Sequence, residues 1–133
     1  LKLFNERMQL LKICSKNLIE HIVDKEGKIQ AIGASTKGNM MCQFADINNN
    51  LIECVLDNNE KKIGKIMTGS NITIVSEDDW INKLTKYILV LPYYYVNFFE
   101  AMLSKHIKLG ECIYLIVLLP FPKLIRVEGE KNE

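Results

Sequence analysis

The stretch Ile32-Gly33-Ala34-Ser35-Thr36-Lys37-Gly38-Asn39-Met40 constrains the chain more than any other. An apolar segment, Lys28 to Gly33 with Ile29, Ala31 and Ile32, runs into it, and an amphipathic helical pattern runs out of it. A strand, a glycine turn and a helix start in succession build an α/β fold, and they also welcome an anion. The first turn of a helix leaves N–H groups without partners and carries the positive end of the summed peptide dipoles. Gly33 and Gly38 are expected to let a ligand approach the backbone. Ser35 and Thr36 can cap the helix or hydrogen-bond a ligand oxygen, and Lys37 adds a point charge at the mouth. The competing reading is an ordinary strand-to-helix turn that binds nothing. Because the pattern is neither Walker-type nor Gly-x-Gly-x-x-Gly, spacing alone leaves both readings open.

The rest of the chain alternates in the same way. Phe4, Met8, Leu11, Cys14, Leu18 and Ile22 recur at helical spacing, which predicts a leading helix over residues 1–25 that Gly27 stops. Met40, Met41, Phe44 and Ala45 give the second helix an inward face. Leu51 to Leu56 reads as a strand ending at the polar Asp57-Asn58-Asn59, and Ile72 to Val75 as a short third strand. Ser76 with Asp79 reads as the N-cap of a brief helix through Leu84. Tyr87 to Leu91 is a continuous apolar strand that Pro92 ends, before Tyr93, Tyr94 and Tyr95. Val96 to Leu109 is helical by period and Gly110 closes it. Cys112 to Leu119 is apolar again, Leu124 to Val127 is a candidate last short strand, and 128–133 reads as a charged, frayed tail.

This pattern predicts one domain over residues 1–133 of class α/β: a Rossmann-like three-layer α/β/α arrangement with a mainly parallel sheet of about five strands. In such sheets ligands sit at the carboxyl edge of the strands. The glycine turn, Asp57 and Asn58, and Pro92 and Tyr93 all fall there. Asp57 stands 24 residues beyond Gly33, near the spacing at which an acid meets a ribose hydroxyl, and it can equally cap the turn that follows it.

Composition removes other classes. A net charge of +1 gives no reason to expect nucleic acid, and the longest apolar runs are too short for a membrane span. Cys14, Cys42, Cys54 and Cys112 are scattered in apolar segments with no Cys-x-x-Cys pair, which predicts free thiols in a reducing cytoplasm and no metal site. His21 and His106 lack a carboxylate or cysteine at ligand or triad spacing, so no catalytic residue is assigned. Lys61, Lys62 and Lys65 read as a solvated face. The chain opens on Leu1 and not on methionine, which reads as a piece of a longer polypeptide.

Several blocks taken together resemble a known family. They are Gly33-Ala34-Ser35-Thr36-Lys37-Gly38-Asn39, then Asp57-Asn58-Asn59 with Lys62, Gly64 and Lys65, then Gly69-Ser70-Asn71-Ile72, then Leu91-Pro92. In this order they resemble the C-terminal domain of the sugar C-methyltransferases, enzymes that methylate a carbon of a nucleotide-linked deoxysugar with S-adenosylmethionine (SAM). The resemblance implies a Rossmann-like domain that helps bind the nucleotide sugar, or a nucleoside diphosphate, with pyrophosphate on the loop from Gly33 to Asn39. It also implies that the SAM loop, the zinc cysteines and the catalytic residues lie in other domains, so this chain carries no cofactor of its own and does not catalyse alone. Its expected partners are a methyltransferase domain or a second copy of itself. The alternative, from another class, is an interaction or scaffolding domain of the same fold without a working ligand site.

Overall fold

The computed structural model describes residues 1–132. The elements follow in the order α1 (Lys2–Glu26), β1 (Ile29–Ile32), α2 (Thr36–Phe44), β2 (Ile52–Asp57), β3 (Ile74–Ser76), α3 (Glu77–Trp80), β4 (Tyr87–Val90), the 3-10 turn η1 (Tyr93–Tyr95), α4 (Val96–Ser104), β5 (Cys112–Val117) and β6 (Lys123–Glu128). The strands form a six-stranded sheet in the order β3-β2-β1-β4-β5-β6. Every neighbouring pair is parallel except β5 and β6, which run antiparallel from Cys112 opposite Glu128 to Val117 opposite Lys123. The architecture is therefore mixed α/β and mostly parallel. Among the described residues no helix is long and apolar enough to cross a membrane.

Burial explains why these segments are strands. Successive side chains of a strand point to opposite faces, and here both faces are covered. Ala31, Leu89 and Ile116 join Ile19 and Ile22 of α1 and Cys42 and Ala45 in and after α2 in one apolar cluster. Their neighbours Ile32, Ile88, Val90 and Leu115 join Phe99 and Leu103 of α4 in the other. β1 is buried along its whole length. That length includes a polar residue, Gln30, whose Nε2 donates to the Lys83 carbonyl at 2.8 Å and whose Oε1 accepts from the Thr85 N–H at 3.0 Å. A buried amide is tolerated because both of its ends are satisfied.

The structure corrects several sequence-based expectations. The sheet has six strands, not about five, because the last segment extends to six residues and pairs along the whole of β5. α4 stops at Ser104 and not at Leu109. The Ser104 carbonyl, which a continuing helix would offer to the Lys108 N–H, accepts instead from the Glu130 N–H, and the Ile107 carbonyl accepts from the Lys131 N–H. With the β6 pairing of Glu128 and the Gly129 N–H bond to the Glu111 carbonyl, these bonds hold residues 128–131, so that part of the tail is not frayed; Glu133 lies outside the described residues. Ser76 makes no side-chain cap bond to α3, and Met40 is exposed. The expected stripe of α1 holds in part: Ile22 is buried and Met8, Leu11 and Leu18 are half-buried. Its fully buried positions are Ser15, Ile19 and Ile22, whereas Cys14 and Phe4 are exposed.

Candidate functional site

The glycine turn is built by tight packing. Gly33 follows β1 with a φ of +81°, a region that favours glycine, and its N–H donates to the Leu56 carbonyl at 2.8 Å. A Cβ at this position would lie 2.5 Å from Pro92 Cδ and 2.6 Å from Pro92 Cγ. At Gly38 a Cβ would run into the Leu91 side chain. Both glycines are therefore required by the approach of the turn to Leu91-Pro92, a packing reason that the sequence reading did not give. In this strand order the crevice between β1 and β4 is the topological switch point where ligands commonly sit. Buried Pro92, packed against Gly33, occupies it.

Ser35 caps α2, its Oγ accepting from the Gly38 N–H at 3.1 Å, and its carbonyl accepts from the Asn39 N–H at 3.0 Å. Among the described residues this leaves the first-turn N–H groups of Thr36 and Lys37 without a protein partner; both residues are exposed. Lys37 Nζ lies 5.8 Å from the centre of the Tyr94 ring. Asn39 is engaged elsewhere: its Nδ2 donates to the Thr68 carbonyl at 2.8 Å and its Oδ1 accepts from Ser70 Oγ at 2.6 Å. Ala34 connects two further residues. Its N–H donates to Asp57 Oδ2 at 2.8 Å, and its carbonyl accepts from Lys62 Nζ at 2.8 Å. Lys62, read from the sequence as part of a solvated face, is half-buried and braces the turn.

Asp57 does the job of a clamp between loops. Its Oδ1 accepts from the Asn59 N–H at 2.8 Å, so the carboxylate caps its own turn while holding the neighbouring one. Beside it opens a cavity of about 380 Å³ at the carboxyl ends of β1 and β2. Gly33, Leu56, Asp57 and Asn58 line one side, with Glu77 at the start of α3. Tyr95, Phe98, Phe99 and Met102, from η1 and α4, form the other. Burial pushes the Glu77 carboxyl above its ordinary range, Asp78 and Asp57 add like-charge repulsion, and His106 opposes them.

Of the residues expected at the site, the cavity gathers Gly33, Asp57 and Asn58. Ala34, Ser35, Thr36, Lys37, Gly38 and Asn39 form the adjoining turn and the first part of α2. Tyr93 faces the narrow gap beside Lys37, Gly38 and Met41, whose space of about 10 Å³ holds no ligand. Pro92 is core. The sequence reading missed Glu77, Phe98 and Met102, and left open which of Tyr93 to Tyr95 would face the site. Tyr95 was visible in the triple tyrosine, but which ring faces the edge depends on the 3-10 turn. The others carried only the ordinary signals of a helix start and a helix face.

These features define an α/β domain that collects its polar loops, and one sizeable cavity, at the carboxyl edge of a parallel sheet. Over residues 1–120 of 133 the chain matches the family described as the C-methyltransferase C-terminal domain, and it belongs to that family. Comparison with curated proteins gave no match. Among the described residues no cluster of histidine, cysteine or acidic side chains is placed to hold a metal ion.

Proposed function

We propose that this domain holds a nucleotide-linked deoxysugar for a SAM-dependent C-methyltransferase of the cytoplasm, whose methyl donor and catalytic residues are supplied by another domain. The reading treats the fold as a Rossmann-like three-layer α/β/α domain. What supports it is the family match together with a cavity bordered by Gly33 and Asp57, three residues of chain before the open first turn of α2. A diphosphate on the Thr36 and Lys37 N–H groups, with the Lys37 ammonium beside it, leaves one end of the ligand at the cavity. There Asp57 and Glu77 accept hydrogen bonds from hydroxyl groups, Asn58 donates or accepts, and the rings of Tyr95 and Phe98 cover an apolar face. The chain's own part in the reaction is to bind and orient, which lowers the entropic barrier to transfer.

The same reading assigns SAM to the other domain. Titration of the isotope-labelled domain with UDP, dTDP and UDP-glucose, followed by amide shifts, tests the reading. The expected result is concerted shifts at Thr36, Lys37, Asp57, Asn58 and Phe98, with none on adding SAM. Silence at both the turn and the cavity overturns it.

A further inference from the structure

Helix α1 carries two stripes, and the fold of one chain uses only the first. The fully buried residues Ser15, Ile19 and Ile22 all fall in the second half of a helix about 37 Å long. Beside them runs a second stripe, Leu3, Arg7, Leu10 and Cys14, at alternating steps of four and three residues. It continues through Asn17 and His21 to Asp24. This is the spacing at which one helix packs along another, and the stripe is exposed throughout, Leu3 by 59% and Leu10 by 61%. Arg7, Leu10 and Cys14 also border a groove of about 290 Å³ whose far wall is the turn at Phe121, itself 62% exposed. The charges of the helix are divided between its ends. In the first half Lys2, Arg7 and Lys12 stand against Glu6. In the second half Glu20, Asp24 and Glu26 stand against Lys25, while Lys16 pairs with the Asp46 carboxylate at 3.2 Å.

We propose that this second stripe is the contact between two copies of the chain, whose α1 helices lie side by side and antiparallel about a two-fold axis at Cys14. Such a contact must be self-complementary, because whatever a residue meets in the partner it also meets from the partner. Cys14 is the midpoint of Lys2–Glu26, so each basic half lies on the acidic half of the other copy. Lys2 comes opposite Glu26, Arg7 comes within one turn of Asp24, and Leu10 comes opposite Leu18 beside the axis. Other occupants answer only part of the helix. An acidic peptide matches the first half alone, and an anionic lipid surface that draws Lys2, Arg7 and Lys12 is repelled by Glu20, Asp24 and Glu26. A second copy matches both halves at once, and the contact is independent of the ligand proposed for the cavity.

Sedimentation of the full chain in low salt tests this with two charge-reversed variants. Lys2→Glu with Arg7→Glu makes both halves of the helix acidic, and Asp24→Lys with Glu26→Lys makes both halves basic. All four positions are exposed, and each new charge has the sign that its end of the helix dipole favours, so both variants are expected to fold. The unaltered chain should dimerise as its concentration rises. Each variant alone should associate about tenfold more weakly, because attraction turns to repulsion at both ends of the contact, and their equimolar mixture should recover the original affinity. Bismaleimidoethane, which bonds one thiol at each end, should join the dimer through exposed Cys14 and should fail on Cys14→Ser. A chain that stays monomeric to millimolar concentration overturns the proposal. So does a dimer that the mixture fails to restore or that cross-links without Cys14, and so does flotation with phosphatidylserine vesicles in place of self-association.

Discussion

Replacing Gly33 by alanine separates packing from ligand binding as the reason for this glycine. The residue has φ +81°, where a side chain costs about 1–2 kcal/mol through its clash with the following carbonyl. The new Cβ would also lie 2.5 and 2.6 Å from two carbons of Pro92, against an ordinary contact of about 3.5–4 Å. Pro92 is buried between β1 and β4, so the turn must move by about 1 Å, and overpacking of this kind costs about 1–3 kcal/mol. The two terms together predict a loss of about 2–5 kcal/mol, a large part of the stability of a domain this size. Gly27→Ala is the control. Its φ is +82° with nothing within 4 Å of the added Cβ, so it carries the backbone term alone. Pro92→Ala in the Gly33→Ala background should recover the packing term, seen as a coupling of about 1–3 kcal/mol in the double-mutant cycle. Urea unfolding, followed by the fluorescence of the single tryptophan, Trp80, reads all five proteins: the wild type, the three single variants and the double variant. If Gly33→Ala costs no more than Gly27→Ala, or if the Pro92 change is merely additive, the packing argument fails and ligand approach returns as the reason for the glycine.

Gln30→Leu keeps the size of the side chain but strands the Lys83 carbonyl and the Thr85 N–H that it satisfies. Unfolding should show a loss of about 2–4 kcal/mol, and a loss below about 1 kcal/mol would refute the role given to this amide. Burial pushes the Cys42 thiol up to about 12, so the folded state resists ionisation while the unfolded thiol ionises near its ordinary value of 9.0. Because the folded value is the higher one, stability is complete below pH 9 and falls as pH rises toward 12, by about 1.4 kcal/mol per unit from this group alone. Cys42→Ala should flatten that slope. At pH 8, iodoacetamide should label exposed Cys14 and spare Cys42 until the protein unfolds.

Much of this domain was legible along the chain because the information is local. Continuous apolar runs such as Tyr87 to Leu91 announce strands buried on both faces, and three- and four-residue spacing announces α1, α2 and α4. Ser35 was readable as a cap because capping is a contact across three residues. The blocks from Gly33 to Pro92 also marked the family. What failed did so where a distant segment intervened. α4 ends early where Glu130 claims its last carbonyl, and Lys62 leaves solvent because Ala34, far away in sequence, offers an oxygen.

The chain alone determined the alternation of strands and helices, the position of the glycine turn, and Asp57 at the end of its strand. Those follow from periodicity and backbone stereochemistry, which act over a few residues. Only the tertiary structure decided that Gly33 and Gly38 make room for Leu91 and Pro92, that Asn39 is spent on the Thr68 loop, and that the open space lies between Asp57, Glu77 and the aromatic face of α4. Such outcomes depend on which side chains from remote segments reach the same point first, and close packing admits one occupant there.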